Sequence, residues 1–106
     1  MPASVVFVGL PARRVRAVAP VADAVGDRIE IICDGGVRRG SDIVKAVALG
    51  ARACMAGRAY LYGLGAAGER GVDFVLDLLA ADVRRVMALN GVASIAELTR
   101  EHLQVP

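Results

Sequence analysis

The sequence contains no tryptophan, two tyrosines, two phenylalanines, one histidine and two cysteines. With aromatics at 4%, the interior must be packed from small aliphatic side chains, chiefly Ala, Val and Leu. Cys33 and Cys54 stand in apolar stretches with no CxxC spacing. Neither a zinc site nor a disulfide scaffold is therefore expected, and both read as buried, reduced thiols in a reducing cytosol. Nothing resembles a nucleophile elbow or a Cys/His pair, and His102 is the sole imidazole. Long apolar runs are missing too. Val5 to Leu10 is too short to cross a bilayer, and its arginines follow it, which is the reverse of a signal peptide. A soluble, cytoplasmic chain is the expectation.

Charge of one sign is also scarce. Thirteen basic against eleven acidic residues give a formal +2. The basic residues, all arginine except Lys45, are scattered, six of them in pairs (Arg13-Arg14, Arg38-Arg39, Arg84-Arg85), with no run of five. That footprint is too weak for a nucleic-acid partner. What is abundant is apolar surface: hydrophobic residues make up 56% of the chain and mean hydropathy is +0.52, which excludes disorder. The 106 residues allow one domain, with roughly 5,600 Å² exposed when folded against about 16,000 Å² unfolded. They do not allow a complete eight-stranded α/β barrel of ~250 residues.

Short apolar runs alternate with longer amphipathic ones in a β-α-β-α order. Pro11 can open a helix with an apolar stripe at Val15, Val18, Ala22 and Val25. Pro20 should kink or restart it, and Gly26-Asp27 should end it. Ile29 to Cys33 is a β-branched run stopped by Asp34-Gly35-Gly36, the pattern of a buried strand feeding a tight loop. Ser41 is the expected N-cap of a helix over Ile43 to Leu49, stopped by Gly50. Ala53 to Ala56 gives a second strand, at a distance suited to a crossover to a parallel neighbour. From Val72, the residues Val75, Leu76, Leu79, Val83, Val86 and Met87 recur at helical spacing to Asn90-Gly91. Ser94, with Glu97 three residues on, caps a last short helix, and the tail ends beyond His102.

Both expected strands end in glycine with arginine close behind: Asp34-Gly35-Gly36-Val37-Arg38-Arg39-Gly40 and Gly57-Arg58. Glycine lets the backbone approach an anion, loop and helix N-terminal N–H groups point at it, and a guanidinium takes two phosphate oxygens. Ligands in α/β proteins gather at the carboxyl ends of strands. The pair therefore predicts a phosphate site, the plainer alternative being two βα turns with surface arginines. Asp34 suits either a cofactor hydroxyl or an Asx turn. Gly63-Leu64-Gly65-Ala66-Ala67-Gly68 spells G-x-G-x-x-G. It does not directly follow a strand and no strand comes after its helix, so it is expected to be a decoy. Tyr60 and Tyr62 are within reach of a ligand but at a spacing more typical of packing.

The stretch DGGVRRGSDIVKAVALGARACMAGR, from Asp34 to Arg58, resembles the C-terminal part of the FMN-dependent 2-hydroxy acid oxidoreductases, which include L-lactate dehydrogenases and glycolate oxidases. The similarity runs from about Pro11 to His102 and leaves residues 1–10 unmatched, so that 1–106 forms a single partial domain. It implies an α/β fold consisting of strands seven and eight, with their helices, of a (β/α)₈ TIM barrel. It also implies FMN contacts at Asp34, Gly35, Gly36, Val37 and Arg38, with Arg38, Gly57 and Arg58 at the phosphate, while the part played by Arg39 stays open.

In that family the catalytic histidine lies in an Asn-His-Gly-Gly-Arg stretch just upstream of the equivalent of Pro11, where this chain has Met1 to Leu10. The resemblance thus implies FMN-phosphate binding without the base that takes the α-proton of the hydroxy acid. The chain alone is expected to be inactive in the oxidation of a 2-hydroxy acid to a 2-oxo acid. Truncated barrel edges imply self-association or a complementary barrel chain. The alternative is a non-catalytic flavin- or phosphate-binding half-barrel module.

Overall fold

A computed structural model of the chain describes residues 5–9 and 14–103. Three parallel strands, β1 (Val5–Gly9), β2 (Glu30–Asp34) and β3 (Ala53–Met55), form one sheet in the order β1-β2-β3. The sequence reading placed strands at Ile29–Cys33 and Ala53–Ala56 and gave the apolar run at Val5 no strand. The structure adds that run to the sheet, with Val5 opposite Glu30 and Gly9 opposite Asp34. Five residues, three of them β-branched valines, are short for a membrane but a normal length for a strand.

The connections are helices, as parallel strands require. α1 (Arg14–Val25) leads from β1 to β2, and α2 (Gly40–Leu49) from β2 to β3. The expected opening at Pro11, and the side chain of Val15, lie outside the described residues. Pro20 does not divide α1, which is one helix of 12 residues. Gly50 stops α2 at φ 122°, a left-handed conformation that costs glycine little, and its N–H reaches the carbonyl of Val47.

The start of α2 departs from expectation. Arg39, not Ser41, is the N-cap. The reason is Asp42, whose carboxylate accepts the backbone N–H groups of both Arg38 and Arg39 at 3.0 Å. That stabilises the helix from Gly40 onward and leaves Ser41 inside the first turn.

α3 (Gly57–Leu89) begins two residues after β3, so Gly57-Arg58 is the first turn of a helix and not a loop. It is broken at Ala67 and Gly68, where Gly68 takes φ 61° and ψ −140°. The chain reverses there and the two arms meet at Gly63 and Gly71, both buried. A Cβ on Gly71 would collide with the Gly63 carbonyl oxygen. The G-x-G-x-x-G letters thus serve a backbone contact and a helix break. Two short 3₁₀ turns, Ile95–Glu97 and Arg100–His102, finish the described chain. The Ser94 hydroxyl accepts from Ala96 N–H, as expected of the cap, while Glu97 accepts from Ala93 N–H and not from Ser94.

Two apolar clusters share α2. Its one side, with Ala46 and Leu49, packs with Val18 of α1 and with Ile31 and Cys33 of β2. Its other side, with Val44 and Ala48, packs with Met87 of α3 and with Val92 and Leu98. In the second arm of α3 the stripe behaves as expected at Val75, Leu79, Val83, Val86 and Met87, but Leu76 is 52% exposed and shares its surroundings with exposed Phe74 and Leu78. Along β2 the alternation is clear: Ile31 and Cys33 are buried under the helices, whereas Glu30 is exposed and Ile32 half-buried. Along β2, the face bearing Ile31 and Cys33 is covered, and the other bears exposed Glu30 and half-buried Ile32 and Asp34.

Candidate functional site

The sequence-predicted residues converge because β2 and β3 are parallel neighbours. Asp34 ends β2 in register with Met55, which ends β3. The turn Gly35–Arg39 and the first turn of α3 therefore leave the same end of the sheet from adjacent strands, which is where a shared ligand would sit. Gly35 and Gly36 take φ 93° and 76°, values at which an L-residue is strained. Val37 is buried and anchors the turn, while Arg38 and Arg39 project as exposed side chains. Asp34 is half-buried.

Electrostatically, the two helix starts differ. At α2 the donors are taken: Asp42 holds the N–H groups of Arg38 and Arg39, and Asp82 of α3 accepts the N–H of Gly40 at 2.6 Å. At α3 the N-cap is Ala56, with no side-chain hydrogen bond, so the positive end of the helix faces outward without a carboxylate. Gly57 is exposed, and a Cβ built there meets nothing within 4 Å. Among the described residues, neither the Arg38 nor the Arg58 guanidinium is ion-paired. Two unpaired guanidinium groups, an open helix N-terminus and a glycine turn make a donor set suited to a phosphate.

Asp82, which the sequence reading placed on no site, sits where α2 meets α3. The N–H of Gly40 and then the Arg85 side chain, which hydrogen-bonds to it, hold its carboxyl below the ordinary range. No pattern in the sequence could have disclosed it, since its partner is 42 residues away. A cleft of about 270 Å³ beside it is lined by Arg38, Arg39, Leu78, Leu79, Ala81, Asp82 and Arg85. Neither Gly57 nor Arg58 lines this cleft.

Tyr60 and Tyr62 lie on the first arm of α3, 43% and 73% exposed. The His102 ring nitrogen Nδ1 faces the N–H of Thr99 at 3.1 Å and acts as a cap for the last 3₁₀ turn. Cys33 and Cys54 are register partners on adjacent strands. Burial, then neighbouring Cys33 and Asp42, push the Cys54 thiol from 9.0 up to about 11, which makes it a poor nucleophile at neutral pH. Among the described residues there is no cluster of three or more His, Cys, Asp or Glu that could hold a metal, and no helix long and apolar enough to cross a membrane.

The family model described as FMN-dependent dehydrogenase matches residues 11–105. The chain belongs to the FMN-dependent dehydrogenase family. It is 53% identical over 98 residues to a pre-mycofactocin synthase of Mycolicibacterium smegmatis, covering 92% of this chain and 24% of that protein. It is 52% identical over 83 residues to an L-lactate dehydrogenase of Caulobacter vibrioides, covering 78% and 22%. An oxidised active mutant of (S)-mandelate dehydrogenase superposes with a TM-score of 0.81 at 48% identity, covering 86% of this chain and 25% of that one. The chain thus spans about a quarter of the length of the relatives it matches. FMN is the cofactor of the family, whose members are oxidoreductases.

Proposed function

We propose that this chain provides a phosphate grip for FMN in an FMN-dependent 2-hydroxy acid dehydrogenase, corresponding to strands seven and eight of a (β/α)₈ barrel. Asp34, Gly35, Gly36, Val37 and Arg38 form one side of the grip, and Gly57 and Arg58 the other. The observation that carries the reading is the pair of glycine-arginine turns leaving neighbouring parallel strands at one end, with unpaired guanidinium groups and an uncapped α3. Bound FMN would supply the two-electron acceptor for oxidation of the hydroxy acid. The chain's own residues bind and orient: Arg38 and Arg58 each offer a planar fork of donors, and the first N–H groups of α3 add partial positive charge.

Removing the α-proton of a hydroxy acid needs a base within hydrogen-bond reach. His102, the one imidazole, is engaged with Thr99. We therefore assign the base to no residue of this chain, and the 106 residues alone are inactive on lactate in this reading. The exposed apolar side chains of α3 call for a covering partner, either a complementary barrel portion or a second copy. A second reading, in which the parent reaction is that of a pre-mycofactocin synthase, is favoured by the longer match to that relative.

The test is an FMN titration followed by flavin fluorescence. Arg38→Ala and Arg58→Ala should each lower affinity by about 1.5 to 3 kcal/mol, the worth of a hydrogen bond to a charged group, while Arg84→Ala, on the exposed side of α3, leaves it unchanged. Equal effects at all three would refute the assignment.

A further inference from the structure

The start of α2 is fixed by two carboxylates of different origin. Asp42 is local, three and four residues from the N–H groups it accepts. Asp82 comes from the second arm of α3 and accepts the Gly40 N–H at 2.6 Å. Gly40 is itself buried, and a Cβ there would meet Asp82 C at 2.5 Å and Asp82 Cβ at 2.8 Å. The two helices therefore touch backbone to backbone at the residue that ends the Asp34–Arg39 turn. Arg38 stands two residues before this contact and shares the cleft wall with Asp82.

We propose that Asp82 is a positioning residue for the FMN-phosphate turn: its hydrogen bond to Gly40 ties the end of that turn to α3 and so sets where the Arg38 guanidinium points. The inference rests on the FMN-phosphate reading above. A guanidinium takes two phosphate oxygens only when its fork is aligned, so a shift of the backbone two residues away degrades the contact without removing any donor. A carboxylate is suited to this work because it accepts the Gly40 N–H and is held in turn by Arg85. The role is confined to one side of the grip. Gly57 and Arg58 hang from β3 and the first arm of α3, which the Gly40–Asp82 bond does not reach.

The test is a double-mutant cycle on the full chain, with FMN and riboflavin as probes. Asp82→Ala should weaken FMN binding about tenfold, the equivalent of about one charge-assisted hydrogen bond. Riboflavin, which lacks the phosphate, should bind Asp82→Ala as it binds the unsubstituted chain. In an Arg38→Ala background the further loss from Asp82→Ala should shrink below about twofold, whereas in an Arg58→Ala background it should remain about tenfold. Asp82→Asn, whose amide oxygen still accepts the Gly40 N–H, should recover most of the affinity. Circular dichroism on each variant separates these effects from loss of fold.

If Arg38→Ala and Arg58→Ala weaken FMN binding but Asp82→Ala does not, the positioning role is overturned and the FMN reading stands. Equal losses for FMN and riboflavin, or full additivity with both arginines, likewise overturn it, as they mark a general structural contribution. If neither arginine matters, or the unsubstituted chain takes up no FMN, the FMN reading itself fails and the positioning role falls with it.

Discussion

Gly57 separates binding from stability at a single position. A Cβ there meets no atom of the chain within 4 Å, and alanine is at least as good as glycine in a first helical turn. Gly57→Ala should therefore leave the denaturation midpoint within the error of a surface substitution, about 0.5 kcal/mol. The same methyl group intrudes where a phosphate would approach the N-terminus of α3, so FMN affinity should fall while stability does not. Urea titration and flavin fluorescence on the same preparation check both halves. Cys54 gives a second prediction at this scale. With its thiol raised from 9.0 to about 11, the folded chain at pH 8 holds roughly a hundredth of the normal thiolate, offset by about tenfold greater intrinsic nucleophilicity. Iodoacetamide should label it about tenfold more slowly than in the urea-unfolded chain, as read by mass spectrometry. The sign for stability follows from the raised value: the contribution is intact below about pH 9 and is lost progressively as pH rises toward 11.

Among the elements, α3 is the one whose form depends most on contacts distant in sequence. Gly71→Ala would drive a methyl group into the Gly63 carbonyl, and backbone offers no rotamer by which to yield. Overpacking of this kind costs about 1 to 3 kcal/mol. The loss should appear as a lower midpoint in urea, while Gly65→Ala, whose Cβ meets nothing within 4 Å, should be neutral. The sequence disclosed β2, the Asp34–Arg38 turn and the C-terminal ends of α2 and α3 because each rests on local chemistry: a β-branched run halted by glycine, and Gly50 or Asn90-Gly91 past the last apolar residue. It misled at Ser41, where the better acceptor stood one residue further on in Asp42. It missed β1, since five apolar residues become a strand only when β2 lies beside them. Gly57 and Arg58 were legible as a glycine-arginine pair following a strand but not as a helix start, because Ala56 lacks the side chain that ordinarily announces one. Asp82 had no local signal at all.

Among the described residues, exposed large apolar side chains run along α3, with Tyr60, Leu61, Tyr62 and Leu64 on the first arm and Phe74, Leu76, Leu78 and Leu89 on the second, and continue at Met55 and Ile95. Parallel sheets are ordinarily covered on both faces, and here α1 and α2 cover one. The expected behaviour of the isolated chain is association. Sedimentation velocity should show species heavier than 11.0 kDa, and the double variant Leu61→Glu with Phe74→Glu should shift them toward monomer without loss of helical signal. A well-folded monomer of the unsubstituted chain would refute the need for a partner.

The Gly40–Asp82 bond also has a consequence in time. It joins residues 42 apart, and a loop of that length closes against more chain entropy than the local Asp42 contacts, which span three and four residues. Contacts of high sequence separation form late on the way to the native state, and removing a late contact hastens unfolding more than it slows folding. On this ground the turn carrying Arg38 gains its tie to α3 after Asp42 has capped α2, and loses that tie before the cap. Flavin capture would then follow local helix formation, and a loosened flavin would precede its loss.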